Sequence, residues 1–268
     1  MEGADSPLRD LLAPLTADPA RSAVLLDVDG VLAPIVLQPE DAHVHEATRR
    51  PLIEIAKSYG VVACVSGRRA SDARRIVSLG SITYLGSHGR EVLRPGATGP
   101  EPDGELQRWA QEVRAFASSH YDDVLRRLRV RLEDKEAIAA LHWRGAVDED
   151  EAHAAVERVA QAAEAAGLKA HWGRKVLEIR PPLRIDKGVG VVELLRDKDV
   201  DAAMYVGDDT TDLDAFRGLA ELRDEGRLES ILRVGVRSGE QPSALEAEAD
   251  VMVEGTNGVR DLLNALLP

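Results

Sequence analysis

The residues able to do chemistry fall in four places. In Val24-Leu25-Leu26-Asp27-Val28-Asp29-Gly30-Val31, two carboxylates stand one residue apart behind an apolar run. Side chains alternate along a strand, so Asp27 and Asp29 share a face while the chain stays extended. Gly30 then lets the chain turn away at once. A second apolar run, Val61-Val62-Ala63-Cys64-Val65, ends in Ser66-Gly67-Arg68. A third, Met204-Tyr205-Val206, ends in Gly207-Asp208-Asp209-Thr210-Thr211-Asp212, and Lys187 opens a helical stretch after Asp186. Four or five carboxylates brought to one edge repel each other unless a cation sits among them. Hard oxygen ligands at that density suit Mg²⁺ with a substrate phosphate. The seven scattered histidines and the single cysteine offer no zinc set. An aspartate can attack phosphorus and form an aspartyl-phosphate. Asp27 is then the nucleophile, and Asp29 the group that protonates the leaving oxygen and later activates water. Ser66 and the amides after it would hold the phosphoryl oxygens, and Lys187 would spread the charge of the transition state.

These groups converge only if their strands lie side by side and point the same way. The pattern along the chain predicts this. A short helix over 7–19 precedes a strand over 22–27. A helix over 46–59 leads to the strand over 61–65, and Ser71-Asp72 starts a helix to Leu79. Tyr84-Leu85-Gly86 is a third short strand. Continuous apolar strands alternating with helices predict an α/β fold: a doubly wound parallel-sheet, Rossmann-like core, which binds ligands at the carboxyl ends of its strands. After the turn-rich stretch 94–100 the pattern changes: a helix over 104–121, strands near 127–133 and 137–144, a helix over 149–166, and a hairpin over 169–180 around Trp172-Gly173-Arg174. The strand–helix alternation then resumes, with a helix over 187–196, strands over 204–206, 231–236 and 250–253, and a last helix over 257–266. We therefore expect a core domain from residues 1–103 and 183–268, interrupted by an inserted α+β cap domain over 104–182.

Composition limits the partners. The 268 residues carry a formal charge of −13, which opposes binding to nucleic acid or to an anionic membrane through bulk charge. A lone cysteine permits no disulfide framework within the chain, and no long apolar stretch reads as a leader or span. A cytoplasmic monomer acting on a small molecule is the expectation.

In this order the four motifs resemble those of the haloacid dehalogenase-like phosphohydrolases. The resemblance implies catalytic roles for Asp27, Asp29, Ser66 and Lys187. It implies Mg²⁺ held by Asp27, the main-chain carbonyl of Asp29, and Asp208, with Asp209 and Asp212 acting through water or by orienting Lys187. More closely, Val65-Ser66-Gly67-Arg68, Tyr84-Leu85-Gly86-Ser87-His88-Gly89-Arg90-Glu91, Leu141-His142-Trp143-Arg144, Gly173-Arg174-Lys175-Val176-Leu177-Glu178-Ile179-Arg180-Pro181 and Gly207-Asp208-Asp209-Thr210-Thr211-Asp212-Leu213-Asp214-Ala215-Phe216 are similar to the trehalose-6-phosphate phosphatases. That resemblance implies substrate contacts from Gly67 and Arg68, and sugar contacts from Glu133, Lys135, Arg144, Lys175 and Glu178 in the cap. Val31 stands where a threonine is usual, and Leu213 where an acidic residue is common. Neither change removes a catalytic group. The implied activity is Mg²⁺-dependent hydrolysis of trehalose 6-phosphate, with the cap closing to exclude water. A phosphatase for another sugar phosphate (glucosylglycerate, sucrose or glucosylglycerol phosphate type), a phosphomutase and a catalytically idle sugar-phosphate sensor are the alternatives.

Overall fold

The computed structural model describes residues 6–36, 41–101, 103–135, 137–173, 175–184, 186–238 and 242–267. The chain divides into two compact units, Met1–Glu101 with Ile185–Pro268, and Pro102–Arg184.

In the first unit the elements run α1 (Ser6–Ala17), β1 (Ser22–Leu26), α2 (Glu46–Ser58), β2 (Val61–Val65), α3 (Ala70–Val77), β3 (Thr83–Gly86) and β4 (Glu91–Leu93). In the second they run α4 (Gly104–His120), α5 (Asp123–Arg127), β5 (Arg131–Lys135), β6 (Ile138–His142), α6 (Glu149–Ala165), β7 (Lys169–Gly173) and β8 (Val176–Arg180). The first unit resumes with α7 (Lys187–Leu195), β9 (Ala202–Gly207), α8 (Asp212–Asp224), β10 (Ser230–Arg237), α9 (Ser243–Glu248), β11 (Val251–Glu254) and α10 (Gly255–Ala265).

The sheet of the first unit has the order β11-β10-β9-β1-β2-β3-β4, parallel except for β4. β1 is central and wholly buried. Its side chains alternate between two cores: Val24 and Leu26 join Leu52, Ile55 and Leu262 on one face, while Ala23 and Leu25 join Val191, Phe216 and Leu219 on the other. An apolar strand with no polar face is stable only when covered on both sides, and helices on both faces supply that cover. From β1 the chain runs on through α2 to β2 on one side, and it returns through α7 to β9 on the other. The carboxyl ends of β1, β2 and β9 therefore meet at the switch point of the sheet, where such folds bind ligands.

The second unit is a four-stranded antiparallel sheet of order β5-β6-β8-β7. Ala139, Leu141, Leu177 and Ile179 face α4 and α6, where Val113, Ala117, Val156, Val159 and Ala163 complete the core. The alternate positions put Glu133, Ala140, Glu178 and His171 in one row on the other face.

One sequence expectation needs correction, and one strand was not expected. The stretch 127–133 is not one strand. Asp122 accepts from the amides of Val124 (3.0 Å) and Leu125 (2.9 Å), which caps α5. Arg129, at φ 61°, then reverses the chain before β5 starts at Arg131. The sheet also carries β4, an antiparallel edge strand that the pattern did not announce; three residues are too few for a periodic signal. Arg174, in the expected hairpin turn, lies outside the described residues.

Candidate active site

β1 ends against β9, where the Asp27 amide donates to the Val206 carbonyl (2.9 Å). The Asp27 carboxylate accepts from the Val28 amide at Oδ1 (2.7 Å) and faces Lys187 Nζ at Oδ2 (3.0 Å). The chain then folds into a tight loop, with Gly30 at φ 78°. A side chain at Gly30 would overlap the Asp208 carboxylate, so this position needs glycine both for its backbone and for the approach of β9's end.

Lys187 opens α7, whose N-terminus is capped by Asp186 accepting from the Val189 amide (2.9 Å). Its ammonium is buried and donates to Asp212 Oδ1 (2.7 Å) while contacting Asp27. Asp212 opens α8 and is fully engaged. Its Oδ1 also accepts from the Tyr205 hydroxyl (2.7 Å), and its Oδ2 accepts from the amides of Asp208 (2.8 Å) and Asp209 (3.0 Å). With four donors Asp212 has little capacity left for a ligand. It is the post that holds Lys187 and the loop after β9. Asp209 caps that loop by accepting from the Thr211 hydroxyl (2.7 Å) and amide (2.8 Å).

Oxygens of Asp27, Asp208 and Asp212 lie within 4.8 Å of one another, and all three residues are buried. One lysine cannot balance three carboxylates. Burial and then the charge of Asp212 push Asp27 well above the usual carboxylate range. Burial, Asp212 and Asp209 raise Asp208 to about 7. Burial alone would discharge Lys187, but Asp27 and Asp212 reverse this and hold it charged. Burial would likewise raise Asp209, yet the Thr211 hydroxyl and Lys187 outweigh it and keep its pKa low. A buried, oxygen-only set with surplus negative charge fits a hard divalent cation, with Asp27 and Asp208 the carboxylates still able to coordinate.

β2 delivers the second loop. The Ser66 amide donates to Leu85 O (2.8 Å), and the Ser66 hydroxyl accepts from the Arg68 amide (3.1 Å). Arg68 reaches back across the sheet edge to Asp29, with Nε to Oδ2 at 2.7 Å and Nη2 to Oδ1 at 2.8 Å. This bidentate fork ties the Arg68 guanidinium to Asp29, the expected proton shuttle. Gly67 lies beneath the ring of His88.

The remaining expected residues lie in the second unit. Glu133 and Glu178 share the face opposite the helices, Glu133 with His142 Nε2 (2.7 Å) and Glu178 with Arg180. Lys175 pairs with Glu149. Arg144 is exposed just after β6. The side chain of Lys135 lies outside the described residues. Sequence reasoning missed Tyr205 and His88. Tyr205 sat inside an apolar run and read as core, whereas its hydroxyl anchors Asp212. His88 is marked in the sequence only by Ser87-His88-Gly89, two polar residues before a glycine at a strand end.

The model of one family, trehalose-phosphatase, matches residues 25–251. The chain belongs to the trehalose-phosphatase family. It is 35% identical over 207 residues to a probable trehalose-phosphate phosphatase 4 of Oryza sativa subsp. japonica, covering 73% of this chain and 55% of the rice protein. It is 34% identical over 218 residues to the trehalose 6-phosphate phosphatase RA3 of Zea mays, covering 74% of this chain and 59% of the maize protein. The chain thus spans somewhat over half the length of these curated relatives. Among solved structures, trehalose-6-phosphate phosphatase of Aspergillus fumigatus superposes with a TM-score of 0.72 at 21% identity, covering 96% of both chains, which shows a shared α/β fold.

Proposed function

We propose that this chain hydrolyses trehalose 6-phosphate to trehalose and phosphate through an aspartyl-phosphate at Asp27. The observation that carries the reaction class is the buried Lys187 bridging Asp27 and Asp212 beside Asp208. The family match and the relatives' names support the substrate.

In the first step an Asp27 oxygen forms a bond to phosphorus as the bond from phosphorus to the sugar oxygen breaks. The Val28 amide and Lys187 fix the carboxylate for attack. Asp29 gives its proton to the departing sugar oxygen. In the second step Asp29 takes a proton from water, whose oxygen attacks phosphorus and frees Asp27. Arg68 orients Asp29, while the Ser66 loop and Lys187 hold phosphoryl oxygens. Mg²⁺, held by Asp27, Asp208 and the main-chain carbonyl of Asp29, would supply positive charge to the phosphoryl group. Asp212 and Asp209 act by positioning. Glu133, Lys135, Arg144, Lys175 and Glu178 are assigned to sugar hydroxyls, within the cap proposed over 104–182.

No helix among the described residues is long and apolar enough to cross a membrane. The single buried Cys64 supports a cytoplasmic location, and the charge of −13 opposes a nucleic-acid or anionic-membrane partner; the chain is proposed to act as a monomer. The test is phosphate release from a panel of sugar phosphates with Mg²⁺. Trehalose 6-phosphate is expected to give the highest kcat/KM. A more than about tenfold preference for another sugar overturns the substrate, and no release from any ester overturns the reaction class.

A further inference from the structure

Ser87, His88 and Gly89 take left-handed backbone angles in succession, with φ of 50°, 57° and 96°. Glycine does this freely, whereas serine and histidine pay for it. Such strain persists only where the surroundings over-determine it, and it concentrates where a side chain must be aimed. Here the surroundings are the two loops of the candidate site. The Ser87 amide donates to the Arg68 carbonyl (2.7 Å), and the His88 amide to the Ser66 carbonyl (3.1 Å). On the other side Gly89 abuts α7, so that a Cβ there would come within 2.8 Å of Gly190 Cα. The turn is wedged between the Ser66 loop and the helix that carries Lys187.

What this geometry directs is the His88 imidazole. The ring lies on Gly67, where a Cβ would stand 2.8 Å from Cε1 and 3.0 Å from Nε2. Any side chain at position 67 would displace it. The ring is half-buried, and among the described residues neither ring nitrogen has a hydrogen-bond partner. Burial and then the charge of Lys187 lower its pKa, which favours the neutral ring with one N–H and one acceptor. A glycine at position 88 would satisfy the backbone at less cost, so the fold alone does not account for histidine there.

We infer that His88 is a substrate-contacting residue that donates its ring N–H to a phosphoryl oxygen held between Gly67 and Lys187. The inference rests on reading the chain as a phosphatase. A neutral donor would add a directional hydrogen bond beside the charge of Lys187 without adding to the charge of the site.

The experiment compares wild type, H88G and H88Q in the intact chain with Mg²⁺. H88G removes the ring and relieves the backbone; H88Q returns an N–H donor at similar reach. Calorimetry measures binding of inorganic phosphate, and kcat/KM is measured on p-nitrophenyl phosphate and on trehalose 6-phosphate. In H88G we expect phosphate binding and both kcat/KM values to fall about tenfold or more, the size of one hydrogen bond to a charged group. H88Q should recover part of each loss, and the Tm of H88G should not fall below wild type. Phosphate binding by H88G within about twofold of wild type overturns the inference. So does a loss confined to the sugar ester, which would assign the ring to the sugar. Wild type that releases phosphate from no ester defeats the phosphatase reading instead, and the binding comparison then judges His88 by itself.

Discussion

Three buried carboxylates cluster at the end of β1 beside one lysine, which pairs with Asp27 and Asp212, and this imbalance has measurable consequences. Asp27→Asn removes the attacking oxygen but also a charge that burial and Asp212 disfavour. Turnover should fall by more than about a thousandfold while Tm stays level or rises. Robust phosphate release by this variant would refute Asp27 as the nucleophile. Asp208 gives a pH dependence that can be followed near neutrality. Its folded pKa, near 7, lies above the ordinary carboxylate value of 3.8, so the folded chain holds more protons between these limits. The stabilising contribution is complete below 3.8 and is lost as pH rises through about 7. A cation relieves that loss but must displace a proton at lower pH. The Tm gain on adding Mg²⁺, against a chelator control, should therefore be larger at pH 8 than at pH 5. An equal gain at both pH values would count against Asp208 as a ligand.

At the scale of elements, helix starts place the groups proposed for phosphoryl transfer. α7 puts Lys187 in its first turn, with Asp186 as cap, and α8 does the same for Asp212. Capping aspartates also start α5 and α6 in the second unit, at Asp122 and Asp148. The contrast makes a test. Asp186→Ala and Asp122→Ala should each cost about 1 kcal/mol of stability, since each frees a capping interaction. Only Asp186→Ala should also lower kcat, because the turn it loosens holds Lys187. Equal kcat in the two variants would show that the α7 cap serves stability alone.

For the molecule as a whole, the groups proposed for phosphoryl transfer lie in the first unit and those proposed for sugar contacts in the second. The two sets should separate by substrate. Glu178→Gln removes a charge from the row Glu133, Ala140, Glu178 and His171. Its loss in kcat/KM should be about tenfold greater on trehalose 6-phosphate than on p-nitrophenyl phosphate, which has no sugar. Equal losses on both esters would take Glu178 out of sugar recognition.

The fold class and the central motifs were legible because period and order are local properties of a chain. Continuous apolar runs announced buried parallel strands, and an acidic or hydroxyl residue just past each run marked a strand's carboxyl end. Lys187 was legible by its place at a helix start in that order. What depends on two distant segments was not legible. Arg68 grips Asp29 across 39 positions, and nothing in either stretch states that pairing. Asp209 and Asp212 read alike in sequence, yet four donors converge on Asp212, one of them from a tyrosine inside an apolar strand. His88 read as a turn residue, and its strained backbone arises only because two loops and a helix close around it. The sequence alone determined which strands are buried and which end in carboxylates or a hydroxyl, because burial dictates periodicity. Tertiary packing decided which carboxylate meets the lysine, which is held by arginine and which stays open to a cation, because these depend on distances that no local pattern encodes.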